Sequence, residues 1–180
     1  LTTRICHVKG LVNLSTPQSI KARHFSKDSS RFVMVPGNAK QRIPMMLERE
    51  KTLSIFSESC LLNKIEHGDN RKIGFITSGA AYCHVREAFP NAPILKLGLS
   101  HPAPIDMIRE FSDSVEKLVV IEEVEPLLET ELKAAGIQLY GKDIVPRIGE
   151  LTPSIITPAI ERLLGKEHTI ATVGMTEVFP

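Results

Sequence analysis

Four short apolar runs alternate with amphipathic segments between residues 71 and 153, and this alternation constrains the fold more than any other feature of the sequence. Each run is rich in β-branched or aromatic side chains and has the length of a strand, so the sequence predicts a strand at each. The runs occupy residues 73–77, 94–97, 118–121 and 137–140.

The segments between the runs carry helix signals. Ala81, Val85 and Phe89 share one helical face in residues 80–89, and Pro90 ends that segment. Proline is tolerated in the first turn of a helix, and glycine provides the left-handed geometry that ends one. On these grounds further helices are predicted after Pro104, over residues 126–133 closed by Gly136, and over residues 154–164 between Thr152-Pro153 and Gly165.

Strands joined by helical crossovers of this length are usually parallel. The predicted fold class is therefore α/β, a three-layer α/β/α sandwich with a mostly parallel sheet. In such sheets, ligands and partners meet the loops beyond the carboxyl ends of the strands. Those loops are residues 78–79, 98–102, 122–125 and 141–143.

Composition excludes several classes of protein. The 180 residues are 42% hydrophobic, enough for one sizeable core, and 22 basic residues against 21 acidic ones give a net charge of only +1. Without a basic stripe, nucleic acid is not an expected partner. No apolar run has the length needed to span a bilayer, so no membrane association is expected, and a reduced, soluble, cytoplasmic protein is the default expectation.

The cysteines do not form a recognisable metal or disulfide motif. Cys6, Cys60 and Cys83 are far apart in sequence, and none belongs to a Cys-x-x-Cys pair. No metal site is predicted. Cys83 and His84 are adjacent and diverge by about 100° on a helix, so they are not expected to share a catalytic contact.

The residues before 70 are less regular than those after it. Residues 1–8 have the character of a last strand, and residues 31–36 are predicted to be a short extended piece. After Pro44, apolar residues recur at helical spacing and predict an amphipathic helix, which is either a packed connector or a clamp toward a partner. This stripe contains Met46, Leu53, Phe56 and Cys60. The chain begins without Met and ends without a closing helix, which indicates a segment of a longer polypeptide.

The first candidate site residues are Ser78 and Gly79, at the turn from the first strand into its helix. A helix amino terminus attracts anions, and this turn could present backbone N–H groups to one. The dinucleotide and phosphate-loop glycine patterns are absent. Alternatively, Gly79 only lets the turn close, and Ser78 only caps the helix.

The other candidates are Ser100 with His101, and Glu122 with Glu123. His101 lies in a rigid strand-end loop that could present its imidazole, or it caps local backbone. Glu122 and Glu123 face opposite ways in an extended segment, so a paired carboxylate site is not expected. One of them could face the crevice while the other is solvated or caps the next helix. No catalytic or cofactor-binding residue is assigned.

Ordered motifs along most of the chain resemble a known family. Residues 71–82, with the sequence RKIGFITSGAAY, are followed in order by motifs at 85–90, 94–98, 118–123, 126–129, 141–146 and 149–153. Together with residues 2–4, His7 and 32–39, these motifs resemble the alpha subunit of indolepyruvate ferredoxin oxidoreductase, a 2-oxoacid:ferredoxin oxidoreductase. Arg4 and His7 match this family near its cofactor domain but receive no catalytic role. Cys6 stands where relatives more often have serine or valine.

The resemblance implies an enzyme that depends on thiamine diphosphate and Mg and contains iron–sulfur clusters. Such an enzyme oxidatively decarboxylates indolepyruvate and other aryl 2-oxo acids to the aryl acetyl-coenzyme A, with ferredoxin as electron acceptor. The implied partners are the remaining domains of the alpha subunit, the beta subunit, ferredoxin, coenzyme A and the 2-oxo acid.

The resemblance also implies a division of the chain. Residues 1–14 would end a pyrimidine-binding domain, 15–69 would be a linker, 70–166 a transketolase C-terminal-like domain, and 167–180 the start of a connection to the next domain. The family's Gly-Asp-Gly motif and cluster cysteines are absent, so no cofactor and no independent activity are expected within these residues. The implied role is structural and serves assembly. Two alternatives are a module that holds coenzyme A or another anion in the strand-end crevice, and a domain that only packs between neighbours.

Overall fold

The structure is a computed structural model that describes residues 9–22 and 24–165. The predicted strand at residues 1–8, with Arg4, Cys6 and His7, lies outside the described residues, as does the predicted connection at 167–180.

A sheet with parallel central strands forms the middle of the fold. Its strands are β1 (Lys64–Glu66), β2 (Gly74–Ser78), β3 (Ile94–Leu97) and β4 (Leu118–Ile121), in the spatial order β1-β3-β2-β4. The neighbours of β2 are both parallel to it, whereas β1 is antiparallel to β3 at the edge. This arrangement confirms the predicted mostly parallel sheet.

The fourth apolar run is not a strand. Within residues 137–140, only Tyr140 bridges to β4, through backbone hydrogen bonds of 2.8 Å to the Val120 N–H and 2.9 Å to the Leu118 carbonyl. The run is shortened because the Ile137 N–H already donates to Leu132 in the turn that ends the preceding helix. Conversely, β1 was missed because Lys64 and Glu66 flank its only apolar residue, which leaves no apolar run to detect.

The helices are α1 (Ser29–Phe32), α2 (Pro36–Glu58), α3 (Gly79–Ala88), α4 (Ile105–Asp113), α5 (Leu127–Ala134) and α6 (Pro153–Leu163). Helices α3 to α6 follow the predicted signals closely, whereas α1 was not predicted and α2 begins earlier than predicted. Gly136 and Gly165, just beyond α5 and α6, have φ values of +80° and +70°, which confirms the predicted left-handed ends.

Two apolar clusters, one on each face of the sheet, form the core. Phe75 and Ile121 pack with residues of α3 and α6 such as Val85 and Ile160. On the other face, Ile76 and Val120 pack with α4 and α5, including Ile108, Phe111 and Leu132. Neighbouring strand residues alternate between the clusters, as the period of a strand requires. These packed layers confirm the α/β/α sandwich.

Thr77 carries an unusual polar group in this core. The residue is fully buried, and within the described part of the chain its hydroxyl has no hydrogen-bond partner. We expect Thr77→Val to raise the free energy of unfolding by about 1 kcal/mol, because the isosteric methyl removes the cost of burying an unpaired hydroxyl. Urea denaturation measures the change. Thr77→Ser, which keeps the hydroxyl and loses the methyl, should instead destabilise; stabilisation by serine and not by valine would contradict this account.

A polar cluster ties β1 to α3. The Tyr82 hydroxyl donates to Glu66 at 2.9 Å, and the Arg86 guanidinium donates to the other carboxylate oxygen. Burial raises the pKa of Glu66, but the hydrogen bonds from Tyr82 and Arg86, together with the Arg86 charge, outweigh it and lower that pKa overall. The stabilisation is therefore present above the usual glutamate pKa of about 4.3 and is lost as the pH falls through the lower folded-state value.

This linkage gives a pH-dependent prediction. Tyr82→Phe should lower the free energy of unfolding by about 1 kcal/mol at pH 7, and the difference from the native chain should shrink as Glu66 protonates in acid. Denaturant midpoints measured from pH 7 to pH 3 give the two curves. Tyr140→Phe is the control, with no expected pH-dependent difference. A Tyr82→Phe effect that is the same at every pH would contradict the linkage.

Helix α2 is longer and more exposed than predicted. It begins at Pro36 rather than after Pro44, and Ser57 is its only buried residue. Met46, Leu53 and Phe56 are 48%, 40% and 54% exposed, so the expected apolar stripe is largely uncovered; Cys60, beyond the helix, is buried. The predicted extended piece at 31–36 begins inside α1 and is extended only from Val33 to Val35.

Only the carboxyl end of α2 is fixed to the sheet domain by hydrogen bonds between side chains and backbone. The Ser57 hydroxyl donates to the Pro102 carbonyl at 2.7 Å. The Glu58 carboxylate accepts from the N–H groups of Asp106 and Met107, both at 3.0 Å, and so caps α4. The end of α2 thereby holds the loop between β3 and α4 in place.

Candidate functional site

A cleft of about 760 Å³ lies beyond the carboxyl ends of β2, β3 and β4. All six candidate residues from the sequence lie on its wall, because the ends of parallel strands meet at one edge of the sheet. The lining consists of Ser78, Gly79, Ala80, Ala81, Ser100, His101, Glu122, Glu123, Val124, Glu125, Leu127, Leu128 and Glu131.

The turn from β2 into α3 forms one side of the cleft. Gly79 has a φ of +59° and open space where a side chain would start, so backbone conformation rather than crowding requires glycine there. Ser78 occupies the N-cap position, but its side chain makes no capping hydrogen bond. This turn therefore fits the interpretation of Gly79 as a turn residue, whereas Ser78 does not cap α3 through its side chain.

The loop after β3 contributes Ser100 and His101. The His101 side chain is 73% exposed, and its Nδ1 lies 3.5 Å from the Glu131 carboxylate, too far for a strong hydrogen bond. The other oxygen of Glu131 accepts from the Ala103 N–H at 3.3 Å. The imidazole is accessible from the cleft, and among the described residues it contacts this loosely held carboxylate.

Glu122 and Glu123 have different roles. Glu122 caps α5, with its two carboxylate oxygens accepting from the N–H groups of Leu128 at 3.0 Å and Glu129 at 2.9 Å. Glu123 accepts from the Leu151 N–H at 3.3 Å. The pair does not act as one carboxylate site, as expected from their opposite directions, and capping by Glu122 is one of the interpretations that the sequence allowed.

Charged groups behind the cleft interact with its glutamate side chains. Glu125 forms an ion pair with Arg147, whose hydrogen bond is the main cause that lowers the pKa of Glu125. Burial lowers the pKa of Lys142, whose ammonium donates to the backbone carbonyl of Glu122. The charge of Lys142 also interacts with Glu122 and Glu123, and no lysine or arginine is among the described residues that line the cleft.

Sequence reasoning missed Val124, Leu127 and Glu131. Leu127 and Glu131 are separated by four residues in α5, so they share the helical face that lies at the cleft, and this spacing was a usable signal. Val124 has a φ of +63°, which is strained for a β-branched residue. No sequence pattern predicts that conformation.

The side chains that could hold a metal ion or an iron–sulfur cluster are dispersed among the described residues. Among them, no three His, Cys, Asp or Glu side chains are grouped to hold a metal ion. Cys60 is buried and Cys83 is exposed. The Nε2 atom of His84 lies 3.6 Å from the Oε1 atom of Glu150. The described helices include none that is long and apolar enough to cross a membrane.

Comparison with curated proteins gives a consistent set of relatives. The chain is 36% identical to indolepyruvate oxidoreductase subunit IorA of Thermococcus kodakarensis, over 94% of this chain and 29% of the relative. The chain is homologous to one segment of IorA. The IorA subunit of Pyrococcus horikoshii is 34% identical over 94% of this chain and 29% of its own length. The IorA subunit of Methanothermobacter thermautotrophicus is 31% identical over 91% of this chain and 29% of its own length.

The IorA relatives are much longer than this chain, which spans 29% of their length. No model of a known protein family matches the sequence. Among solved structures, a 2-oxoglutarate:ferredoxin oxidoreductase from Magnetococcus marinus aligns with a TM-score of 0.55 and 19% identity, over 71% of this chain and 23% of that one. This likeness is one of fold, and it agrees with the α/β class.

Proposed function

We propose that this chain serves as an assembly domain of an enzyme that oxidatively decarboxylates indolepyruvate and other aryl 2-oxo acids to the aryl acetyl-coenzyme A. Ferredoxin would accept the electrons, and thiamine diphosphate would be held outside residues 9–165. The homology to IorA supports the choice of reaction, since the relatives are named as indolepyruvate oxidoreductase subunits. Residues 70–166 would be the transketolase C-terminal-like domain and 15–69 the linker.

The observation that carries the assembly role is the surface of α2. Ile43 and Leu47 lie on one side of this helix and Met45 and Phe56 on the opposite side, and each is about half exposed. Helix α2 also carries charged residues such as Arg42, Glu48 and Lys51, but apolar side chains exposed on two opposite sides of one helix mark a surface that another part of a protein covers. Since only its carboxyl end is fixed to the domain, other parts of a larger protein would have to cover α2.

The chemistry of the cleft also favours a structural role over a catalytic one. Both oxygens of Glu122 are occupied by the α5 cap, and Glu125 is paired with Arg147. Proton transfer requires a group positioned at a reacting atom, whereas these carboxylates are engaged in holding loops and a helix. Glu123 and Glu131 also accept backbone N–H groups, at 3.3 Å each, and His101, at 73% exposure, lacks the enclosure typical of a catalytic base.

A chimera tests the proposed reaction and role together. The segment of Thermococcus kodakarensis IorA that aligns with this chain is replaced by this chain, and the chimera is co-expressed with the beta subunit. We expect indolepyruvate-dependent reduction of ferredoxin in the presence of coenzyme A. Phe56→Glu in the same chimera should abolish assembly, and Glu116→Gln, an exposed control, should not. An assembled chimera that turns over a different 2-oxo acid but not indolepyruvate would contradict the substrate proposal.

Calorimetry of the 180-residue chain tests the placement of the cofactor. We expect no binding of thiamine diphosphate with Mg²⁺, because the described residues offer no group to hold the metal. Tight binding would contradict the assembly role. The alternative of a coenzyme A site in the cleft is opposed by its carboxylate lining. It would be supported only if coenzyme A bound and Ser100→Ala or His101→Ala weakened that binding without unfolding the chain.

A further inference from the structure

The cleft has an exposed apolar wall as well as its polar residues. Leu127 is 76% exposed and Val124 is 59% exposed, and both lie in the lining beside Ala80 and Ala81. Scattered apolar side chains on a surface are normal, but two large ones inside a concave site form a place where another apolar group can be buried.

The charge of the same cleft is acidic on balance. Four glutamates line it, namely Glu122, Glu123, Glu125 and Glu131, while Arg147 pairs with Glu125 and the charge of Lys142 interacts with Glu122 and Glu123. The amino terminus of α3 adds the equivalent of about half a positive charge. That contribution is too small to reverse the sign, so the cleft attracts cations and repels phosphate or carboxylate ligands.

The carboxylates differ in their capacity to accept a new partner. Each oxygen of Glu122 already accepts one short hydrogen bond, of 2.9 and 3.0 Å, at the start of α5. Glu131 has only long contacts, 3.3 Å to the Ala103 N–H and 3.5 Å to His101. Glu123 holds the Leu151 N–H through one oxygen at 3.3 Å. Glu131 and Glu123 can therefore accept charge-assisted hydrogen bonds from an incoming lysine or arginine.

From these features we propose that the cleft docks a polypeptide segment that presents lysine or arginine beside a large apolar side chain. The cation would pair with Glu131 and Glu123, and the apolar side chain would cover Leu127 and Val124. This inference rests on the proposed assembly function, in which a neighbouring domain or subunit supplies the segment. Because both oxygens of Glu122 are engaged at the start of α5, Glu131 and Glu123 are the carboxylates placed to meet the incoming cation.

Peptide titration of the full chain tests the proposal. The probe is acetyl-Leu-Arg-Ile-Arg-Leu-amide, added to ¹⁵N-labelled chain while amide shifts are followed by nuclear magnetic resonance. We expect shifts at Gly79, Val124 and the first turn of α5, and weaker binding as salt increases. Glu131→Gln should weaken binding about threefold to fivefold, as for a partly exposed ion pair. Leu127→Ser should weaken it similarly, and the matched control Glu116→Gln should leave it unchanged.

Other probes decide the competing outcomes. Acetyl-Leu-Glu-Ile-Glu-Leu-amide and coenzyme A should not shift the cleft amides, and binding of either one there would overturn the proposal. MnCl₂ alone should not broaden the cleft amides selectively; selective broadening would identify a bare cation site instead. Failure of the basic peptide to bind, while the IorA chimera still assembles and turns over indolepyruvate, would overturn the docking proposal and leave the proposed function intact.

Discussion

Replacing Asn63 with alanine is expected to lower the free energy of unfolding by about 3 kcal/mol. Asn63 is buried, and its carbonyl oxygen accepts from the N–H groups of Gly98 at 3.0 Å and Leu99 at 2.9 Å. Its amide nitrogen donates to the Ser57 carbonyl at 3.0 Å. Alanine would leave these backbone groups without their partner, and each unsatisfied group costs about 1 kcal/mol or more. Urea denaturation followed by circular dichroism measures the loss.

The same substitution should loosen the entrance to the cleft. Asn63 joins the end of α2 to the loop after β3, which carries Ser100 and His101, so amide hydrogen exchange at Gly98 and Leu99 should accelerate. Asn63→Asp keeps the acceptor and loses the donor, so an intermediate effect is expected. Asn91→Ala, at an exposed position, should change stability by less than about 0.5 kcal/mol. Unchanged exchange at both amides in Asn63→Ala would contradict this role.

The layered fold was predictable because its signals are local. The runs that became β2, β3 and β4 are continuous and buried, and proline and glycine mark the ends of their helices. The prediction of a strand at 137–140 was wrong because hydrophobic periodicity cannot show that the Ile137 N–H already donates a hydrogen bond in the turn after α5. Strand β1 was not predicted for the opposite reason. Its pairing with β3 stabilises a strand whose own sequence carries little strand signal.

The position of the site was more predictable than its character. Topology alone predicts that the loops after β2, β3 and β4 meet at one edge, and the six candidate residues do line one cleft there. Which carboxylate is free depends on contacts distant in sequence, such as Leu151 with Glu123 and Arg147 with Glu125. The exposure of the apolar side chains of α2 could not be predicted either, because a helix with an apolar stripe is normally assumed to pack that stripe against its own domain.

Replacing Gly141 with alanine is expected to destabilise the chain by about 3 kcal/mol. A Cβ at this position would lie 2.5 Å from the Glu129 Cδ and closer still to one of its carboxylate oxygens. Glu129 cannot move away without cost, because it is buried and accepts from the Lys142 N–H at 2.8 Å and from the Lys133 ammonium at 2.6 Å. The penalty therefore combines overpacking with loss of those hydrogen bonds, and thermal and urea unfolding should both detect it.

A double-mutant cycle separates this clash from a general effect of alanine. In a Glu129→Ala background the added methyl group has nothing to strike, so the further cost of Gly141→Ala should fall below about 1 kcal/mol, which is a coupling of about 2 kcal/mol. Gly37→Ala, near the start of α2 with open space around it, is the matched glycine control and should be neutral or slightly stabilising. Additive costs in the cycle would contradict the contact with Glu129 and would assign the loss to the backbone of Gly141 instead.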